Sequence, residues 1–237
     1  MQRVLIFVKL LLSNDLWLYS ISWPEKGLML RRLLNSPVAK KMIMAITGLI
    51  WYGFLVGHLL GNLLLLKDDG GETFDAYANF LINHPLLIPA ELFLMLTFFT
   101  HVYLAIRLSI ENRRARPTKY QVNQSSGGRN LASSSMAYTG TFTLIFIIFH
   151  LITFKYGQRI DGSLYKLVDS TFQQTGYMVW YVIAMAILGF HLFHAFQSAF
   201  QTLSIHSKRV QKLGLSLCIV IASGFALLPI SMYVGLR

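Results

Sequence analysis

Five histidines lie inside long apolar stretches of this chain: His58, His101, His150, His191 and His194. An imidazole can bind a metal, shuttle a proton or simply hydrogen-bond. Inside a membrane, an ionisable side chain is costly and usually faces other protein or a functional site. One such histidine could as easily be a packing residue. Four successive apolar stretches that each carry one are harder to assign to packing. The other two histidines, His84 and His206, fall in polar connections and read as solvated loop residues.

The elements that must hold these histidines follow from composition. The chain has 237 residues, 54% of them apolar and 13% charged. Soluble domains carry roughly 25% charged residues, so this deficit, with a mean hydropathy of +0.52, indicates a membrane protein. Five spans are expected, at about 42–66, 86–110, 136–155, 177–203 and 213–234. Each can cross the hydrocarbon core, which takes about 20 helical residues. Helices are the default because lipid offers no water to backbone groups, and the ten-residue alternation of a membrane barrel is missing. The expected fold class is an all-α integral membrane protein, a five-transmembrane-helix bundle over 36–237, preceded by a cytoplasmic or interfacial segment 1–35. Within that segment Val4–Leu12 is too short to span. It reads as an interfacial amphipathic helix or as sequence upstream of a true start at Met29. Asn123–Ser135 reads as a flexible loop, and no internal repeat stands out.

The net charge of +11 does not point to nucleic acid, since no basic helix face or aromatic-interleaved patch accompanies it. Thirteen Lys and Arg residues flank the spans on one side, among them Lys40, Lys41, Arg113, Arg114 and Lys208, against five on the other. This bias predicts a cytoplasmic N-terminus and a C-terminus on the opposite side. The single cysteine, Cys218, excludes a disulfide framework and any cysteine-built zinc or iron–sulfur site within the chain.

Depth then pairs the histidines. At a rise of 1.5 Å per residue, His58 and His150 stand roughly 24 and 21 Å above the cytoplasmic ends of their spans, and His101 and His194 each roughly 14 Å. Two bis-histidine sites stacked across the membrane are therefore expected: His58 with His150 on an outer haem, His101 with His194 on an inner one. Two imidazoles leave haem iron no open position, which suits electron transfer. Zinc suits the pairs less well, because no Cys, Asp or Glu completes a four-ligand set. His191, one turn from His194, reads as a supporting or quinone-site residue. Gly53, Gly57 and Gly61 form a small-residue row beside His58 that would allow close helix packing or make room for a macrocycle.

Several stretches together carry a family resemblance: SPVAKKMIMAITGL (36–49), VGHLLGNLLL (56–65), FDAYANFL (74–81), FFTHVYLAIRL (98–108), MAYTGTFTLIFIIFHLITF (136–154) and FHLFHAFQSAFQTL (190–203). The chain resembles, over about residues 30–235, the single-subunit, five-helix, di-haem cytochrome b membrane anchor of succinate dehydrogenase/fumarate reductase. The resemblance implies haem ligands at His58, His101, His150 and His194, with Arg107 and Arg129 as basic candidates for the haem propionates. An arginine common in the family is replaced here by the serines of Ser133–Ser135. It further implies two haems b, a flavoprotein partner that interconverts succinate and fumarate, an iron–sulfur partner, and a membrane quinone (menaquinone or ubiquinone). The setting would be the lipid of a bacterial inner (cytoplasmic) membrane, as part of respiratory complex II and the tricarboxylic acid cycle. The chain would then be the non-flavin membrane subunit of that enzyme; it has no dinucleotide fingerprint or cysteine cluster of its own. Quinone reduction needs protons. Glu91, about 15 Å outward of His101 and alone among apolar residues, is the candidate donor. Two other readings remain: the di-haem cytochrome b anchor of a different dehydrogenase, and a haem-free transporter or scaffold.

Overall fold

The computed structural model describes residues 36–114, 131–205 and 207–236. The chain divides into two compact units, Met1–Ala39 and Lys40–Arg237, and the five spans lie almost wholly in the second. Segment 1–35, with Val4–Leu12 and Met29, is outside the described residues, as are Arg129, His206 and most of the Asn123–Ser135 loop.

Among the described residues there are seven α-helices and no strand. Helix α1 runs Pro37–Asn62 and tightens into a 3-10 turn, Leu63–Leu66; α2 is Glu72–Ile82 and α3 Leu87–Arg114. Helix α4, Leu131–His150, passes into a π-helical turn, Leu151–Lys155; then come α5 (Leu164–Phe172), α6 (Thr175–Thr202) and α7 (Lys208–Val234). Five segments are long and apolar enough to cross a membrane: Pro37–Leu66, Leu87–Arg114, Ser135–Lys155, Thr175–Thr202 and Lys208–Val234. The expected all-helical, five-span architecture is met. The outward side chains agree with it: Ile88, Leu96 and Phe99 of α3 are each more than 60% exposed, in a density that water-facing surfaces avoid.

The helices outrun the apolar stretches that announce them. Pro37 opens α1, and the Ser36 hydroxyl accepts from Ala39 N at 3.1 Å, the usual chemistry of a helix start. Helix α3 continues four residues past the expected 110, to Arg113 and Arg114. Cations are favourable in a last turn because the helix dipole is negative there.

Neighbouring spans alternate in direction. At the end of the bundle where α1 starts, here the near end, Lys40 Nζ donates to both Glu111 carboxylate oxygens at 2.7 and 2.9 Å, tying α1 to α3. Helix α7 lies parallel to α1. Tyr52 Oη stands 3.2 Å from Cys218 Sγ, and a Cβ on Gly224 would come within 2.8 Å of Leu59. Helices α6 and α7 close on each other through Gly189 against Ala222 and Gly214 against Phe196.

The far end carries a cap that the hydropathy pattern did not announce, built from α2 and α5. The Asp75 carboxylate accepts from Leu164 N at 2.9 Å, from Tyr165 N at 3.0 Å and from the Ser163 hydroxyl, so a residue of α2 satisfies the first free N–H groups of α5. Arg159 Nη1 donates to Asn79 Oδ1 at 2.9 Å. Asp69, held by the Thr73 hydroxyl and then by Lys67, has its carboxyl below the usual carboxylate range. That contribution is present above the unfolded-state value and fades as pH falls through the lowered folded one. Asp75→Ala is expected to cost about 2–3 kcal/mol, the scale of charged hydrogen bonds whose buried donors lose their acceptor. Thermal denaturation in mild detergent measures it, and an unchanged midpoint would show that the cap does not depend on this carboxylate.

Candidate functional site

The bundle collects its histidines in two tiers. In the far tier His58 of α1 meets His150, the last residue of α4, with ring centroids 5.9 Å apart and planes at 88°. Phe54 stacks on His58 at 5.3 Å, and Phe225 of α7 closes its other flank at 5.6 Å. His150 is ringed by Phe146, Phe154 and Tyr181, and Tyr181 Oη approaches its Nδ1 to 3.4 Å. The Asn62 amide donates to the His58 carbonyl at 2.7 Å, occupying a backbone oxygen where α1 tightens. The two imidazoles thus converge within an apolar, aromatic shell. Such a shell lowers the local dielectric and protects a bound group from water.

The near tier lies ten residues away along α1, about 15 Å. His101 of α3 turns toward α1. Its Nδ1 is 3.2 Å from Met44 O and 3.2 Å from Thr47 Oγ1, and a Cβ on Gly48 would lie 3.2 Å from its Cε1. His191 of α6 turns toward α4 in the same way. Its Nδ1 is 3.3 Å from Thr139 Oγ1, and a Cβ on Gly140 would again lie 3.2 Å from its Cε1.

The structure gives His194 and His191 different surroundings. His194 is buried, its ring edge-on to its chain neighbour Phe193 at 4.8 Å, while His191 occupies the frame that matches His101. The depth comparison was counted from helix ends that differ from the observed ones. His101 stands thirteen residues before Arg114, and His191 and His194 stand eleven and eight before Thr202. With the true end of α3, His191 is the better match. For His58 and His150 the observed ends preserve the expected level: twenty-one residues from Pro37 and nineteen from Leu131.

The structure also gives the surroundings of Glu91, Arg107 and the glycine row. Glu91 is not alone: Lys155, from the π-helical turn after His150, forms an ion pair with it, and both side chains are about 40% exposed. The premise of an isolated carboxyl in an apolar setting fails. Arg107 is already engaged by Glu111 at 2.9 Å and by Tyr103 Oη at 3.0 Å, and its side chain is half exposed. Of the glycine row, Gly61 receives the Tyr77 ring of α2, whereas Gly53 and Gly57 have no atom within 4 Å of a would-be Cβ. Close helix packing therefore accounts for neither Gly53 nor Gly57 among the described residues.

Four residues that position the near-tier rings, Thr47, Gly48, Thr139 and Gly140, were not singled out in the sequence. Among the described residues no three His, Cys, Asp or Glu side chains converge as a metal-ion cage. No family model, curated protein or solved structure matches the chain.

Proposed function

We propose that this chain is a di-haem cytochrome b, the membrane anchor of a succinate dehydrogenase/fumarate reductase, passing electrons between an iron–sulfur partner and membrane quinone. The observation that carries the reading is the convergence of His58 and His150 inside an apolar helix bundle, with two further imidazoles held in matching Thr-Gly frames about 15 Å nearer the other end. Two imidazoles bound to opposite faces of one metal would have ring centres about 6 Å apart, given metal–nitrogen bonds of about 2 Å. The 5.9 Å between His58 and His150 fits this. A pair of nitrogen donors without a third protein ligand suits a metal whose remaining positions a macrocycle fills. The open flank at Gly53 and Gly57 is compatible with its edge.

In this reading His58 and His150 hold the far haem, and His101 and His191 the near one. Haem iron with two imidazoles supplies one-electron transfer. The chain's own residues bind, orient and shield. The aromatic rings exclude water around the far pair, while Met44 O and the two threonine hydroxyls hold the near imidazoles. The bias of basic residues puts the near end in the cytoplasm, where the flavoprotein and iron–sulfur subunits would dock on the loops of that side. With Lys155 on its carboxylate, Glu91 is not assigned the proton step of quinone chemistry.

Purified in mild detergent, the chain is expected to give a reduced-minus-oxidised spectrum of six-coordinate, low-spin haem b and about two haems per polypeptide by pyridine haemochrome, one for each bis-imidazole pair. A flavoprotein and an iron–sulfur protein should co-purify. A haem-free, folded chain would favour a transporter or scaffold. Two haems with other partners would favour the anchor of a different dehydrogenase.

A further inference from the structure

The two near-tier histidines are held by the same dipeptide. Thr47-Gly48 on α1 receives His101 from the next span, and Thr139-Gly140 on α4 receives His191 from the span after it. The match extends along both helices. At a constant offset of 92 residues, Met44, Ala45, Thr47, Gly48, Phe54, His58 and Leu59 recur as Met136, Ala137, Thr139, Gly140, Phe146, His150 and Leu151. The geometry repeats with the sequence. The threonine oxygens stand 3.2 and 3.3 Å from Nδ1, and a Cβ on either glycine would be 3.2 Å from Cε1 and 3.6 Å from Nδ1. Phe54 and Phe146 sit against His58 and His150 in the same register.

We infer that α1–α3 and α4–α6 are two copies of one histidine-presenting unit, in which a Thr-Gly pair sets the ring angle and the proton position of a histidine on the following span. The chemistry follows from the donors. Met44 O can only accept, so the proton of His101 is on Nδ1. The Thr47 hydroxyl proton is directed to Ile43 O or Met44 O, at 2.8 and 3.0 Å, which leaves its oxygen to accept from the same Nδ1–H. The Thr139 hydroxyl has the same carbonyl partners, Ser135 O and Met136 O, both at 3.2 Å, so by the same arrangement its oxygen is placed to accept from His191 Nδ1–H. Both rings therefore present a bare Nε2, the form a metal needs, because a hydrogen bond at one ring nitrogen fixes which nitrogen ligates. The glycines matter because any side chain would crowd Cε1 and turn the ring. Thr47, Gly48, Thr139 and Gly140 are positioning residues, acting through His101 and His191.

This inference rests on the haem reading above, and it makes both units serve one haem. Thr139→Val keeps shape and removes the acceptor. The near haem's midpoint potential should rise, because an imidazole whose N–H is less polarised is a weaker electron donor to ferric iron. Its low-spin electron paramagnetic resonance signal should shift, while the far haem stays as in the wild type. Thr139→Ser, which keeps the hydroxyl, should restore both values. Thr47→Val should shift the same haem by less, since Met44 O remains on His101. Gly140→Ala should move the resonance signal by turning the ring. His191→Ala should lose the near haem and His194→Ala should keep it. A wild-type chain without haem overturns the parent reading and this inference with it. Two haems in the wild type overturn the inference alone if Thr139→Val leaves both unchanged, or if Thr47→Val and Thr139→Val act on different haems.

Discussion

On the proposed di-haem reading, replacing His150 with Ala is expected to lower the haem content from two per chain to one and to leave the remaining haem's spectrum unchanged. His150 supplies half of the far pair, and its partner ring is 5.9 Å away, too far for direct hydrogen bonding and well spaced for a shared metal. The near tier lies ten residues down the same helices, about 15 Å. Sites separated by more than about 7–10 Å with no shared partners behave independently. His58→Ala should give the same result, and the double variant should lose no more than either single one. Phe146, Phe154 and Tyr181 line the space left by the missing ring, so imidazole added to the medium has a place to enter and should restore part of the haem. Haemochrome analysis counts the cofactor, and circular dichroism checks that the helices persist. Two haems retained in a folded His150→Ala chain, or both lost, would end the pairing scheme.

The second large effect belongs to Gly71, the residue before α2. Its backbone is left-handed, with φ of 88°, which costs a residue with a Cβ about 1–2 kcal/mol. A Cβ there would also lie 2.1 Å from the Tyr165 ring, and Tyr165 is only 4% exposed. Gly71→Ala must therefore push a core aromatic of α5 aside, at about 1–3 kcal/mol for overpacking. The two costs together are about 3 kcal/mol. Gly70→Ala is the control. Its φ is 66°, but nothing lies within 4 Å of its would-be Cβ, so the backbone cost of about 1–2 kcal/mol stands alone. Limited proteolysis of the 67–71 turn and thermal denaturation compare the two; equal losses would show that Tyr165 moves aside freely.

Hydropathy made the five spans legible because lipid leaves a backbone one economical solution. The level of His58 and His150 was legible too, since both are counted from the starts of helices that run a similar length before them. His191 was not. Its rank against His194 depends on where α3 stops, and charged residues such as Arg113 and Arg114 extend a helix beyond its apolar run. The Thr-Gly repeat was present in the residues, yet most of the intervening positions differ and share only their apolarity. In a membrane chain such apolarity reflects the solvent more than descent or site. The α2–α5 cap was hidden for another reason. Asp75 lies 88 residues from Ser163 and 90 from Tyr165, and nothing local marks a carboxylate that caps a distant helix. The isolation of Glu91 failed similarly, because Lys155 reaches it from another span.

Helix α3 has an ion pair at each extremity: Glu91 with Lys155 at the far end and Glu111 with Lys40 and Arg107 at the near end. Twenty residues separate the two carboxylates, so they stand about 30 Å apart along the axis, which is the thickness of a typical hydrocarbon core. Both charges can then reach headgroups only when α3 stands nearly upright in a bilayer of that thickness. A thinner bilayer would force the helix to lean, and a thicker one would draw a carboxylate inward, each at fractions of a kcal/mol per ångström of mismatch. Because Lys40 and Lys155 belong to other spans, α3 cannot lean or slide without carrying α1 and α4 with it. In a bilayer of that thickness the two tiers of histidines would keep fixed depths.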